Sequence, residues 1–248
     1  MNKDQASRFK DAVWFPEEDM EVIVGGAGGI GSWLTFLLCR LCVPNIYVFD
    51  FDILEEHNMS GQLYGPGHIG MPKVSALSDV CKQMADHTIN AMNERVTPET
   101  MATNFMFGAF DNMVARKDIF SAWKGFVAEW QEVKTKVEAG ETTWEDEAML
   151  PYEPIYIDGR LTLEQIQIFC ITPDRIEEYE SIHLFDDSKV EEVECTLKQT
   201  SHTAAMIGGK MVGLFTNHLE NISEGDKART LPFLYQWLTP ACYSSIQM

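Results

Sequence analysis

The sequence is short of positive charge. Nineteen lysines and arginines face 38 aspartates and glutamates, a formal net charge of −19, and a field of that sign repels DNA, RNA and acidic membranes. Nucleic acid is therefore not an expected partner. A phosphorylated ligand is admitted only where a helix N-terminus, backbone N–H groups and a few placed cations override the field locally. No run approaches the roughly 20 apolar residues needed to cross a bilayer, so no membrane span is expected. The opening stretch "MNKDQASRFKDAVWF" lacks the continuous apolar core of a secretory leader, from which a cytoplasmic location is expected. Six cysteines in that setting read as reduced thiols rather than a disulfide framework. Cys39 and Cys42 form a C-x-x-C, but no second pair completes a zinc site, and buried packing is the expectation for both. Internal repeats and low-complexity tracts are missing as well.

What is present is an alternation of strand and helix signals. Glu21 to Val24 reads as a short strand and Ser32 to Arg40 as a helix packed on a sheet; "NIYVFDFD", Asn45 to Asp52, reads as a second buried strand. A helix is expected over Pro72 to Ala91, with proline in its first turn, and a strand over Asn104 to Phe110. The apolar set Phe120, Trp123, Phe126, Val127, Trp130, Val133 and Val137 recurs at helical spacing and predicts one long amphipathic helix from Lys117 to Val137. "PIYIDGRLTLEQIQIFCITP" reads as two strands joined by a turn at Asp158-Gly159. Ala204 to Leu219 reads as a final helix whose Ala205, Gly208, Gly209 and Gly213 suit a close approach by another element. The aromatic tail "LPFLYQWLTPACYSSIQM" either covers an interface or closes the core. Such a pattern belongs to the α/β class, a Rossmann-like, doubly wound and mostly parallel sheet with an antiparallel extension. The 248 residues are expected to form one domain, 1–248, with a helical insertion around 117–153 and an acidic crossing segment around 174–194.

Chemistry enters at "GGAGGIG". Gly26, Gly28 and Gly31 satisfy G-x-G-x-x-G after a strand and at the start of a helix, and with Gly29 they let backbone N–H groups approach a phosphate. The loop by itself suits the phosphates of NAD or of ATP equally. Asp50, about 20 residues on, stands where an acidic residue binds ribose hydroxyls in either case.

The residues after the second strand separate the two. In order they are Asp50-Phe51-Asp52, Asn58-Met59-Ser60-Gly61-Gln62, Gly70-Met71-Pro72-Lys73 and Asp111-Asn112-Met113-Val114-Ala115-Arg116. With the glycine loop, this series resembles the shared pattern of the ThiF/MoeB superfamily, the adenylating enzymes that activate ubiquitin-like and sulfur-carrier proteins: D-x-D, N-x-x-R-Q, G-x-x-K and D-N-x-x-x-R. The resemblance covers roughly the first half of the chain. It implies ATP over the glycine loop with Asp50 on its ribose, Lys73 and Asn58 on its phosphates, and Asp111 helping to position Mg²⁺. A small ubiquitin-like or sulfur-carrier-like protein would then present its C-terminal carboxylate to the α-phosphorus, and a homodimer is implied. Asp52, Gln62, Asn112 and Arg116 complete the set carried by the motifs.

The sequence departs from the pattern at one telling place. Gly61 stands where the family has the arginine of N-x-x-R-Q, and a glycine neutralises no phosphate. Arg8 is a candidate replacement, lent across a dimer, and Arg160 a weaker one. In the later half, "ECTLKQTSH" resembles the neighbourhood of the catalytic cysteine in ubiquitin-activating enzymes, so Cys195 is a candidate for a thioester, helped by Lys198 or His202. The family's common zinc-binding cysteine pairs are missing. Two other readings stand beside the enzyme. One is a catalytically degenerate ThiF-like protein that keeps the fold as a nucleotide-binding or structural interaction module, and the other is an NAD(P)-dependent oxidoreductase, which leaves Asn58, Lys73 and Asp111-Asn112 unexplained.

Overall fold

The computed structural model describes residues 6–141, 150, 152–162, 165–185, 200–225 and 229–248. Eight strands form one sheet: β1 (Glu21–Gly25), β2 (Asn45–Phe49), β3 (Asn90–Met92), β4 (Phe105–Gly108), β5 (Ile155–Thr162), β6 (Gln165–Ile171), β7 (Leu234–Leu238) and β8 (Tyr243–Gln247). Their spatial order is β3-β2-β1-β4-β5-β6-β7-β8. The first five in that order run parallel, and from β5 onward each neighbour is antiparallel. This is the doubly wound parallel sheet with an antiparallel extension that the alternation of signals predicts.

Parallel strands need long crossovers, and helices supply them. α1 (Gly29–Arg40) links β1 to β2, α2 (Lys73–Ala85) precedes β3, and α3 (Met113–Glu138) lies in the connection from β4 to β5. α4 (Ser201–Glu224) packs on α1 from the other end of the sequence. Gly208 is the reason the two helices come so close, because a Cβ there would stand 3.0 Å from the Leu34 backbone nitrogen. Of the four small residues on α4, Gly208 makes the tight approach, while Gly213 has open space around it.

One core lies between the sheet and the α1, α2 and α4 side, built on Val22, Val24, Leu34, Ile46, Phe105, Ile157 and Phe215. A second, aromatic core fills the α3 side with Phe120, Trp123, Tyr156, Phe169 and Tyr179. The alternation of β5 divides the two, Ile155 and Ile157 facing one core while Tyr156 faces the other.

Two expectations are corrected. The helix expected to run to Ala91 stops at Ala85, where Asp86 turns left-handed at φ 47°, and Asn90–Met92 becomes the edge strand β3. The turn expected at Asp158-Gly159 does not form there; both residues sit inside β5, paired with Phe169 and Ile168 of β6. The aromatic tail forms the hairpin β7–β8 at the sheet edge.

Candidate active site

The chain leaves β1 toward β2 on one side, and β4 begins on the other, so the connections beyond the C-terminal ends of β1 and β4 diverge and open a crevice. The glycine loop occupies that opening. Gly26 has φ +96°, a conformation side chains rarely adopt, and an added Cβ would stand 2.9 Å from the Ala109 carbonyl at the end of β4. Gly31 is held even more tightly, since a Cβ there would collide with the Gly26 carbonyl oxygen. Gly28, the N-cap of α1, is different: nothing lies within 4 Å of the Cβ position, and no side chain caps the helix. The first turn of α1 thus presents its N–H groups to a space that the absence of a side chain leaves clear, which is the geometry of an anion cradle.

Asp50 locks the loop. Its Oδ2 accepts from the Ala27 N–H at 2.7 Å and its Oδ1 from the Asp52 N–H at 2.8 Å. Burial pushes the Asp50 carboxyl above the ordinary aspartate range, against the opposing pull of Lys73 and of these two N–H groups.

Lys73 is delivered to the same rim by a short fold-back. Gly70 turns at φ +87°, Ile53 bridges Pro72, and the Lys73 N–H donates to the Asp52 carbonyl at 2.9 Å. The Lys73 Nζ then donates to Asp52 Oδ2 at 2.7 Å, with the lysine side chain 10% exposed and the aspartate 48%. The G-x-x-K spacing is therefore a device that returns a buried-stem lysine to the D-x-D segment. Asn58 accepts from the Glu55 N–H at 2.9 Å and organises the helical turn Glu56–Ser60.

Gly61, the departure from the family pattern, is buried, and its carbonyl accepts from Trp33 Nε1 at 3.3 Å. The following residues are laced to α1: Leu63 N–H donates to Ser32 Oγ at 3.1 Å and the Tyr64 hydroxyl to the Ala27 carbonyl at 2.5 Å. Gln62 keeps a buried Oε1 without a protein partner. A shallow cavity of about 390 Å³ lies between α1, α2 and this segment, lined by Trp33, Gln62, Tyr64, His68, Gln83 and Met84. The glycine loop, Asp50, Lys73 and Asp111 do not line it, so it is separate from the crevice.

D-N-x-x-x-R divides its work among three residues. Asn112 caps α3, accepting from the Ala115 N–H at 2.9 Å, and donates to Asp111 Oδ1 at 3.3 Å. Asp111 is left exposed past the end of β4. Arg116 is buried and donates to Asp158 and to the carbonyls of Phe110 and Gly159. Asp158 also accepts from Arg160 Nε at 2.7 Å and from the Tyr179 hydroxyl at 2.8 Å. The ion pair with Asp158 and the tyrosine contacts outweigh desolvation at Arg160 and hold its guanidinium firmly protonated. Asp158 and Tyr179 went unrecognised in the sequence, because "YIDGR" looks like a turn and a contact spanning 42 residues leaves no local signature.

Arg8 is exposed in the turns that precede β1. Cys195 and Lys198 lie outside the described residues, and His202 is exposed at the start of α4. Cys39, Cys42, Cys81 and Cys170 are buried, and burial pushes the Cys170 thiol up to about 12. Among the described residues no three His, Cys, Asp or Glu side chains gather in a way that could hold a metal ion, and no helix is long and apolar enough to cross a membrane.

The ThiF family matches residues 17–237. A ubiquitin-like modifier-activating enzyme 5 from Oryza sativa subsp. japonica is 29% identical over 86 residues, 35% of this chain and 18% of that protein. The protein of the same name from Drosophila ananassae is 33% identical over 94 residues, 38% of this chain and 21% of that one. The matched stretch thus spans about a fifth of these relatives' length. Among solved structures, PaaA superposes with a TM-score of 0.63 at 17% identity, over 97% of this chain and 68% of its own. E. coli MccB, solved with ATP, superposes with a TM-score of 0.63 at 11% identity, over 95% and 65%. These likenesses carry the fold, and the match over residues 17–237 carries the assignment: the chain belongs to the ThiF family.

Proposed function

We propose that this chain binds ATP across the N-terminus of α1 and adenylates the C-terminal carboxylate of a small protein or peptide, of ubiquitin-like or sulfur-carrier-like kind. The observation that carries the reading is the gathering, on one sheet rim, of an uncapped helix start at Gly28, a fixed carboxylate at Asp50 and the ammonium of Lys73. These fit ATP in kind, with dipole and N–H groups for phosphates, an acceptor for ribose hydroxyls and a cation for the charge that moves onto leaving pyrophosphate. Asn58 would add an amide contact, whereas Gln62 lines the separate cavity beside α1 and α2, and exposed Asp111 would hold Mg²⁺, which supplies charge neutralisation when bound. Arg116 works one layer back, fixing the Asp111-Asn112 loop. In the reaction a carboxylate oxygen of the partner bonds to the α-phosphorus as the bond to pyrophosphate breaks, giving an acyl-adenylate. Solved structures of MccB with ATP and with N-formylated MccA, and the relatives named as activators of ubiquitin-like modifiers, are in keeping with such a substrate.

Transfer of the acyl group from the adenylate to the Cys195 thiolate, with release of AMP, is the finer form of this proposal. A homodimer in which a second copy lends Arg8 is a further part of it. The decisive experiment is ATP–pyrophosphate exchange with candidate carriers: exchange abolished by Lys73→Ala and Asp111→Ala supports the assignment, and normal exchange in both variants removes it. A thiol-sensitive adduct lost in Cys195→Ala tests the second step.

A second reading, a ThiF-like binder without turnover, is favoured by Gly61. Gly61 supplies no cation there, its carbonyl accepting only from the Trp33 indole among the side chains described, and Arg116 and Arg160 are both engaged by Asp158. ATP binding without exchange on any carrier would establish that reading instead.

A further inference from the structure

Beyond the glycine loop, one arrangement on the same rim is left without a role by the motifs. Phe51, between Asp50 and Asp52, is 44% exposed, and the Arg95 guanidinium lies over its ring, 3.6 Å from the centroid. Arg95 is exposed and forms no ion pair among the described residues, whereas Lys73 is taken by Asp52 and Arg116 and Arg160 by Asp158. A chain carrying −19 has thus set an unpaired cation on an aromatic ring, beside the carboxylate that suits a ribose.

The order of the strands says which part of a nucleotide meets it. The phosphate cradle lies at the end of β1, Asp50 at the end of β2, and Arg95 just past the end of β3, where the Asp50 N–H donates to the Met92 carbonyl at 3.2 Å. Two strand spacings separate β1 from β3, roughly 10 Å. A nucleotide laid along this rim with its phosphates on α1 and its ribose on Asp50 reaches the β3 end with its base. Phosphates seated on α1 lie two strands away from the end of β3 that carries Arg95.

We infer that Arg95 and Phe51 form the stacking platform for the purine base. The guanidinium already lies over the phenyl ring, so the two side chains meet before the base arrives. Stacking of this kind draws on the π-face of the base and on the planarity of arginine, which lysine lacks. This inference rests on the ATP-binding reading above.

The test is calorimetric titration of the full chain with ATP, AMP and inorganic tripolyphosphate. Arg95→Ala should weaken ATP and AMP by a similar factor, about five- to tenfold, and leave tripolyphosphate unchanged. Arg95→Lys should behave like the alanine variant, and Phe51→Ala should lose as much. Unchanged ATP and AMP affinity in Arg95→Ala, with the unaltered chain binding both, overturns the inference while leaving the ATP reading intact. So does rescue by lysine, or an equal loss for tripolyphosphate, either of which would make Arg95 a plain phosphate cation. If the unaltered chain binds neither nucleotide, the ATP reading and the platform fall together. Both positions are exposed, so the variants are expected to fold, and an unchanged unfolding temperature checks that.

Discussion

Arg116, in the first turn of α3, donates to Asp158 on β5, and the pair is sealed from solvent, with the two side chains 6% and 0% exposed. The contact joins the loop that carries Asp111 and Asn112 to the middle of the sheet. Because Arg160 shares the same carboxylate, Asp158 compensates two buried guanidinium groups. Asp158→Ala is expected to lower stability by about 3–5 kcal/mol, the cost of stranding buried charge. Urea denaturation measures it, and a loss below about 1 kcal/mol would show that water reaches both arginines.

The two kinds of glycine in the loop separate folding from binding. Gly31→Ala forces a methyl against the Gly26 carbonyl and is expected to destabilise the chain by about 3 kcal/mol or somewhat more. Gly28→Ala meets no protein atom, and should leave stability within about 0.5 kcal/mol while reducing ATP affinity at least tenfold. Thermal unfolding and calorimetry on the same two proteins check the contrast; equal ATP binding in Gly28→Ala would mean that phosphate does not sit on α1.

Lys73 faces Asp52 at 2.7 Å, so its charge is held in place before a ligand arrives. One cation about 4 Å from a phosphate is worth about 4 kcal/mol at an effective dielectric near 20, before the cost of leaving Asp52 is deducted. Lys73→Ala should therefore weaken ATP by tenfold or more and weaken adenosine little, with the fold retained. Parallel titrations with the two ligands decide it, and an equal loss for both would place Lys73 away from the phosphates.

Asp50 gives a pH signature with a definite sign. Its carboxyl is raised in the folded protein by burial, so ionising it opposes folding at neutral pH. As pH falls through the raised folded value, the native state takes up the proton before the unfolded chain does, and this group adds to stability. In the proposed ATP complex Asp50 accepts from the ribose hydroxyls in its ionised form, so ATP affinity should begin to fall at a higher pH than an ordinary aspartate would produce. The affinity profile of Asp50→Asn should be weak and flat across that window; a profile that parallels the unaltered chain would assign the titration to another group.

The parallel half of the fold was legible in the sequence because its constraints are local. A glycine loop announces the β1–α1 junction, and acidic residues mark where β2 and β4 end. The antiparallel half offered less. "DGR" imitates a turn, yet Asp158 is fully buried, and what makes that burial tolerable is Arg116 from another element and Tyr179 from a third. The overrun of α2 has a similar cause: Ile89 and Ala91 continue an apolar rhythm, and the left-handed turn at Asp86 is a one-residue event that propensity does not announce. The Phe51–Arg95 stack was hidden for the same reason, since 44 positions separate its members in the chain.

The β7–β8 hairpin turns at Thr239–Cys242, with Cys242 left-handed at φ 47°, and β8 closes the sheet edge five strand spacings from β1, roughly 24 Å away. That distance makes the turn a permissive position for engineering. A fluorescent label on exposed Cys242, or a short reporter peptide spliced into the turn, would burden an outlying edge and leave the glycine loop undisturbed, so the binding experiments above can be run on a tagged molecule without a tag over the crevice.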